Sequence, residues 1–180
     1  MRILRLSYDD VTAHLVPLCD LLTDAVDSGA SIGFLPPLRE GEAAEYWSSV
    51  AAAIGDGSRV MLIAVDDGRV VGSVQLDYAM RRNALHRAEI MKLMVHRSAR
   101  RRGIGRALML EAAQVAKAAG RTLLVLDTRH GDPSETLYRN LGYQAAGIIP
   151  RYARSASGEL HATILMYREL ELESTCTFSN

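Results

Sequence analysis

Polar and apolar residues alternate from Arg2 to Leu6, the period of a short half-buried strand. Asp9 or Asp10 stands where a helix cap is needed. Leu15, Leu18, Leu22 and Val26 then recur at helical spacing, and Gly29 marks the stop. Ser28 to Pro37 has loop chemistry, with two glycines, two prolines and two serines. A second helix is predicted over about Glu40 to Ile54, ended by Gly55-Asp56-Gly57.

Val60 to Val65 reads as a buried strand, Asp66-Asp67-Gly68 as a hairpin turn, and Val70 to Tyr78 as the partner strand. Ala88 to Val95 is another apolar run, with Glu89 near its start. Arg100 to Gly105 breaks the pattern. Ile104, Leu108, Met109, Ala112, Val115 and Ala116 then form one helical face that Gly120 ends. Leu123 to Leu126 is a short buried strand ending in Asp127. Ser134 to Leu141 is helical in pattern, with Pro133 at its start and Gly142 after it. Two last strands, Gln144 to Arg151 and His161 to Tyr167, flank the turn at Ser157-Gly158. About seven strands and four helices, joined by both hairpin and crossover connections, predict an α/β (α+β mixed) fold on one mixed sheet.

The length of 180 residues suits one domain, expected over residues 1–172 with a tail over 173–180. Basic and acidic residues balance at 21 each, which argues against nucleic acid or an anionic membrane as partner. The only cysteines, Cys19 and Cys176, make no disulfide framework. The amino terminus carries charge before any long apolar run, and Val60 to Val65 is too short to span a bilayer. A cytoplasmic location is the resulting expectation. The five histidines show no metal-ligand spacing, and no Gly-x-Ser-x-Gly elbow occurs, so neither a metal nor a serine nucleophile is expected.

The charge is balanced but not evenly spread. Arg97, Arg100, Arg101, Arg102 and Arg106 crowd into ten residues between a strand and a helix. The first amides of a helix have no internal partner and lie at the positive end of its dipole. Gly103 and Gly105 let the backbone close on a phosphate, and nearby guanidinium groups add donors. These features suit a diphosphate. A P-loop is excluded because no Gly-Lys-Ser/Thr follows, and a dinucleotide fingerprint because position 108 is leucine.

Arg100-x-x-Gly103-x-Gly105 resembles the coenzyme A loop of the GNAT acetyltransferases, Arg/Gln-x-x-Gly-x-Gly/Ala. Leu137-Tyr138-Arg139-Asn140-Leu141-Gly142-Tyr143 resembles the Leu-Tyr-x-x-x-Gly-Phe/Tyr helix end of the same family. The order of elements and the spacing of the motifs also fit, so the resemblance covers nearly the whole chain. Gly29 to Phe34, Asn83 to Met94 and Gly158 to His161 look more narrowly like the tabtoxin-resistance acetyltransferases, which act on a β-lactam amino acid.

The resemblance implies a splayed, mostly antiparallel sheet and acetyl transfer from acetyl-CoA to a primary amine of a small molecule. Protein N-termini or lysines are the alternative acceptors, and a non-catalytic acyl-CoA sensor is the alternative class. It implies that Leu93, Met94 and Val95 pair with the pantetheine arm. The pyrophosphate then falls to Arg100, Arg101, Arg102, Gly103, Ile104, Gly105 and Arg106. Glu89 matches a catalytic glutamate position, and Asp127 ends the neighbouring strand; one takes a proton while the other holds the ammonium. Tyr138 matches the general acid for the departing thiolate. An asparagine expected seven residues before this tyrosine is Gly131 here, so that coenzyme contact is either lost or moved to Ser134. Gly33, Phe34, Trp47 and Tyr152 are the expected acceptor walls, and the family resemblance leaves room for a homodimer.

Overall fold

Val60 to Val65 is apolar at every position because both faces of its strand are covered. Met61 and Ile63 enter one core, while Val60, Leu62 and Ala64 enter another. That strand, β2 (Arg59–Asp66), sits inside a seven-stranded sheet with β1 (Arg2–Leu6), β3 (Arg69–Tyr78), β4 (Arg87–Val95), β5 (Leu123–Arg129), β6 (Gln144–Arg154) and β7 (Leu160–Glu169). The order across the sheet is β1-β2-β3-β4-β5-β7-β6. Every pair is antiparallel except β4 with β5. The computed structural model describes residues 1–171, so the expected tail over 173–180 and Cys176 lie outside the described residues.

Among the described residues, five α-helices cover the sheet: α1 (Tyr8–Ala13), α2 (Leu15–Asp27), α3 (Glu42–Gly55), α4 (Ile104–Ala118) and α5 (Pro133–Asn140). The first three bury Val11, Leu18, Leu21, Leu22, Trp47 and Val50 against Met61, Ile63 and Met94. The other core holds Ile104, Leu108 and Met109 of α4, Tyr138 of α5, and Leu124 and Leu126 of β5.

Two sequence expectations need correction here. Four helices become five because the first one breaks at His14. Pro17 stands in the first turn of α2 and has no N–H to bond back to the preceding helix. The cap of α1 is Ser7, not Asp9 or Asp10. The Ser7 hydroxyl accepts from the Asp10 amide at 3.2 Å, and the Asp10 carboxylate accepts from the Ser7 amide at 2.9 Å. This is a reciprocal capping box.

Gly72 sets the seat of α4. A side chain there would meet the Met94 carbonyl oxygen at 2.9 Å and the Leu108 and Ile104 side chains at 3.1 and 3.3 Å. Only glycine lets the first turn of α4 rest this close to β3, beside the end of β4.

Candidate active site

β4 and β5 pair over three residues only, Arg87 with Leu123, Ala88 with Leu124 and Glu89 with Val125. Beyond Glu89 the strands diverge, so the β5-side edge of Leu93, Met94 and Val95 is left without a ladder partner. A wedge opens in the middle of the sheet. After β4 the chain makes a short 3-10 turn, Arg97–Ala99, and then starts α4.

Gly103 precedes α4 with a φ of +79°, a region where a Cβ costs ~1–2 kcal/mol. No side chain caps this helix, so its first amides stay open for an external acceptor. Gly105 has only ordinary contacts around its missing Cβ: Leu137 at 3.5 Å and Val95 at 3.7 Å. The helix start therefore lies between the end of β4 and α5, at the mouth of the wedge.

The arginine cluster divides. Arg97 donates its backbone amide to buried Asp24 at 2.9 Å and its side chain to the same carboxylate, which ties this loop to α2. Arg102 pairs at 2.7 Å with Asp66, the last residue of β2. Arg100 donates to the Val95 carbonyl oxygen at 3.0 Å and so fixes the loop on the strand. Arg101 and Arg106 are exposed. Arg101 also adopts a left-handed φ of +62°, uncommon for a residue with a side chain.

The register lines up a row of side chains across the α3 face of the sheet. Arg59 lies opposite Asp77, Asp77 opposite Glu89, and Glu89 opposite Val125. Asp127 and Arg129 continue on the same face of β5, two and four residues on. Arg59 bonds Asp77 through two nitrogens at 2.8 and 3.0 Å. Loss of water around the Glu89 carboxyl, then the negative charges of Asp127 and Asp77, raise its pKa above the usual carboxylate range. The Thr163 hydroxyl lies 2.8 Å from both an Asp127 carboxylate oxygen and the Thr128 carbonyl, and its single proton serves one at a time.

Tyr138 belongs to the α4-side core, 6% exposed. Burial, then the charge of Asp127, raise its pKa well above that of a free phenol, so it holds its proton. Of the residues expected from sequence to act together, Glu89 and Asp127 lie on the α3 face of the sheet and Tyr138 in the α4-side core; the charge of Asp127 acts on both of the others. Ser134, at the start of α5, bonds the Thr128 hydroxyl at 2.8 Å. Glu135, which sequence reasoning missed, accepts from the Gly131 amide at 3.0 Å and from Arg139 at 2.7 Å. It holds the loop before α5, and only its position four residues before Arg139 hinted at this.

The acceptor walls fare unevenly. Gly33 and Phe34 line a cavity of about 240 Å³ together with Ala30, Arg129 and Arg154. Trp47 is a correction. It is 0% exposed and packs in the α2–α3 core, because helical spacing puts it with Val50 and Ala51. Its neighbour Tyr46 is the aromatic that meets Phe34, edge to face at 5.2 Å. Tyr152 stands 53% exposed on the edge strand β6 and does not line the cavity. Lys92 was missed as well: its ammonium lies over the Phe34 and Tyr46 rings at 5.7 and 5.9 Å. Among the described residues, no group of three or more His, Cys, Asp or Glu is arranged to hold a metal ion, and no helix is long and apolar enough to cross a membrane.

The comparisons with known proteins bear on the fold and the family. The yncA protein of Salmonella typhimurium, solved with its cofactor acetyl-CoA, superposes with a TM-score of 0.79 at 17% identity, over 99% of both chains. A phosphinothricin acetyltransferase of Sinorhizobium meliloti, in complex with acetyl-CoA, gives a TM-score of 0.75 at 24% identity, over 99% of this chain and 92% of that one. At such identities the likeness is one of fold. An uncharacterized N-acetyltransferase from the hisH-hisA intergenic region of Azospirillum brasilense is 34% identical over 121 residues, covering 66% of this chain and 70% of that protein. The profile of the Acetyltransferase (GNAT) family matches residues 29–143, a span that holds the wedge, the open start of α4 and Tyr138 alike. With that match over most of its length and a relative of this identity, the chain belongs to the acetyltransferase (GNAT) family.

Proposed function

We propose that this protein transfers the acetyl group of acetyl-CoA to the primary amine of a small molecule. The observation that carries the reading is the wedge between β4 and β5, with the uncapped start of α4 at its mouth and Glu89 at its apex. The amides from Arg101 to Arg106 suit a diphosphate, as do the exposed guanidinium groups of Arg101 and Arg106. The edge of Leu93, Met94 and Val95, unpaired with β5 although the Val95 carbonyl accepts from Arg100, suits the amide-bearing arm, which brings a thioester, when bound, toward Tyr138.

The chain's own residues then have simple tasks. An alkylammonium has a pKa of ~10, so the acceptor must shed a proton before it attacks. Glu89, with its raised pKa, takes that proton, and Asp127 holds the positive charge beforehand. A bond forms from the amine nitrogen to the acetyl carbon as the carbon–sulfur bond breaks. Tyr138 gives its proton to the departing thiolate; a thiol has a pKa of ~8.5, so a weak acid suffices.

The likeness to tabtoxin-resistance acetyltransferases supports a narrower acceptor. Two of the three matching segments meet at the site: Gly29 to Phe34 rims the cavity, and Asn83 to Met94 carries Glu89. A β-lactam amino acid, with detoxification as the role, is the proposed specific case.

The test is thiol release from acetyl-CoA over a library of small amines, amino acids including β-lactam amino acids, and peptides. Faster release with a small amine than with any peptide is expected. Release with peptides alone, or none with any amine, contradicts the reading.

A further inference from the structure

Lys92, a charged group of the acceptor face, has no task in the mechanism above. Lys92 is half-buried, and its backbone has a left-handed φ of +50°. It lies at a bulge: β3 advances from Ser73 to Gln75 while β4 steps back from Met94 to Met91, one residue more. The bulge reverses the alternation of β4. Glu89 and Met91 share the row of Asp77 and Gln75. Strict alternation would turn Lys92 to the α4 side, yet its ammonium lies over Phe34 and Tyr46 on the α3 side. Leu93 and Val95 then pack toward the α4 core and Met94 into the α2–α3 core. A strained backbone thus spends one residue to aim a lysine into the acceptor cleft.

An ammonium removed from water needs compensation. Two aromatic faces supply part of it. Among the described residues, no carboxylate is close enough to form an ion pair with Lys92; burial and then the positive charge of Arg59 lower its pKa, while the charges of Asp127 and Glu89 oppose that shift from farther off. A second donor stands nearby. Arg59 donates to the Gln75 side-chain oxygen at 3.3 Å, which turns the Gln75 amide nitrogen toward the Tyr46 hydroxyl at 2.9 Å. Tyr46 therefore accepts from Gln75, and its own proton is free to donate elsewhere. Burial pushes its pKa up to about 12, so that proton stays in place.

We propose that Lys92, with the Tyr46 hydroxyl on the same face of the sheet, binds a carboxylate of the acceptor and so selects amines that also carry an acid. A zwitterion laid along this face meets Glu89 and Asp127 at its ammonium end and Lys92 at its carboxylate end. The inference rests on the acetyl-transfer reading, whose acceptor it narrows, and it assigns Lys92 to selection rather than to chemistry.

The experiment compares α-amino acids with their α-carboxamides, which differ in the anionic oxygen, on the wild-type protein, Lys92→Met and Lys92→Arg. Two readouts are taken: thiol release from acetyl-CoA, and calorimetric binding of the same compounds to the protein loaded with coenzyme A. The wild type is expected to favour the acids by ~10- to 100-fold in kcat/KM, the scale of a hydrogen bond to a charged group. Lys92→Met is expected to bring that ratio near unity, chiefly through the KM of the acids, and Lys92→Arg to retain most of it. Acetyl-CoA binding by each variant checks its fold.

A wild type that treats acid and amide alike overturns the proposal. So does a Lys92→Met variant that loses kcat equally on both, since that marks a base or a structural group. Turnover of amines without any Lys92-dependent preference leaves acetyl transfer standing and removes the anchor. A Lys92-dependent binding preference with no turnover of any amine does the reverse.

Discussion

The two sides of the β4–β5 wedge are made from different materials. On the α4 side the proposed coenzyme contacts are mostly backbone groups, supplied by one unbroken run from Leu93 to Arg106. On the α3 side the groups are side chains drawn from β2, β3, β4, β5 and α3, namely Arg59, Gln75, Asp77, Glu89, Lys92, Asp127 and Tyr46. A backbone site binds whatever presents a diphosphate and tolerates change in most of its side chains. A side-chain site can be rewritten at each strand, which is how one scaffold serves many acceptors.

The variants that test this contrast differ in which side they strike. Tyr138→Phe removes only the proton offered to the thiolate; kcat is expected to fall ~10- to 1000-fold while acetyl-CoA still binds, as steady-state kinetics and a binding titration will check. An unchanged kcat removes Tyr138 from the chemistry. Gly105→Glu puts a negative charge among the open amides of α4, where the missing Cβ has room. Acetyl-CoA affinity is expected to fall ~100-fold with the melting temperature little changed, because a helix start that attracts one anion is blocked by another. Equal affinity in a folded variant breaks the proposed backbone grip.

Asp127→Asn strikes the other side. Glu89 must be ionised to accept a proton, so kcat/KM rises with pH through its raised pKa. Burial is the largest cause of that pKa elevation, and the charge of Asp127 adds to it. Without that charge the acidic limb of the kcat/KM profile is expected to move to lower pH. A limb that stays or moves upward denies Glu89 the role of base. The smallest effect is expected from Asp66→Asn, which frees Arg102 from its partner at the end of β2. Such exposed pairs contribute little, and a change in acetyl-CoA affinity of less than ~3-fold is predicted.

The same contrast explains what was legible in the sequence. The strand Val60 to Val65, the face of α4 and the Arg100-x-x-Gly103-x-Gly105 loop are local patterns, and each occurs where its spacing put it. Glu89 and Asp127 stand out in the sequence as carboxylates beside such patterns, although β5 runs on past Asp127 to Arg129. Lys92 was passed over because its place depends on a bulge, and an extra residue in an apolar strand leaves no mark on composition. Tyr46 and Trp47 are adjacent, and aromatic character does not say which one meets the core; the phase of α3 against β2 decides it. The division of the arginines was equally hidden, since Asp24 and Asp66 reach Arg97 and Arg102 from 73 and 36 residues away.

The central claim is that the end of β4 and the start of α4 together grip acetyl-CoA. A titration of acetyl-CoA followed by backbone amide chemical shifts tests it without reference to any acceptor. Saturable shifts of the Gly103, Ile104, Gly105 and Arg106 amides, joined by Leu93 to Val95, are predicted. No shift at millimolar coenzyme, or shifts confined to residues outside the wedge, would contradict it.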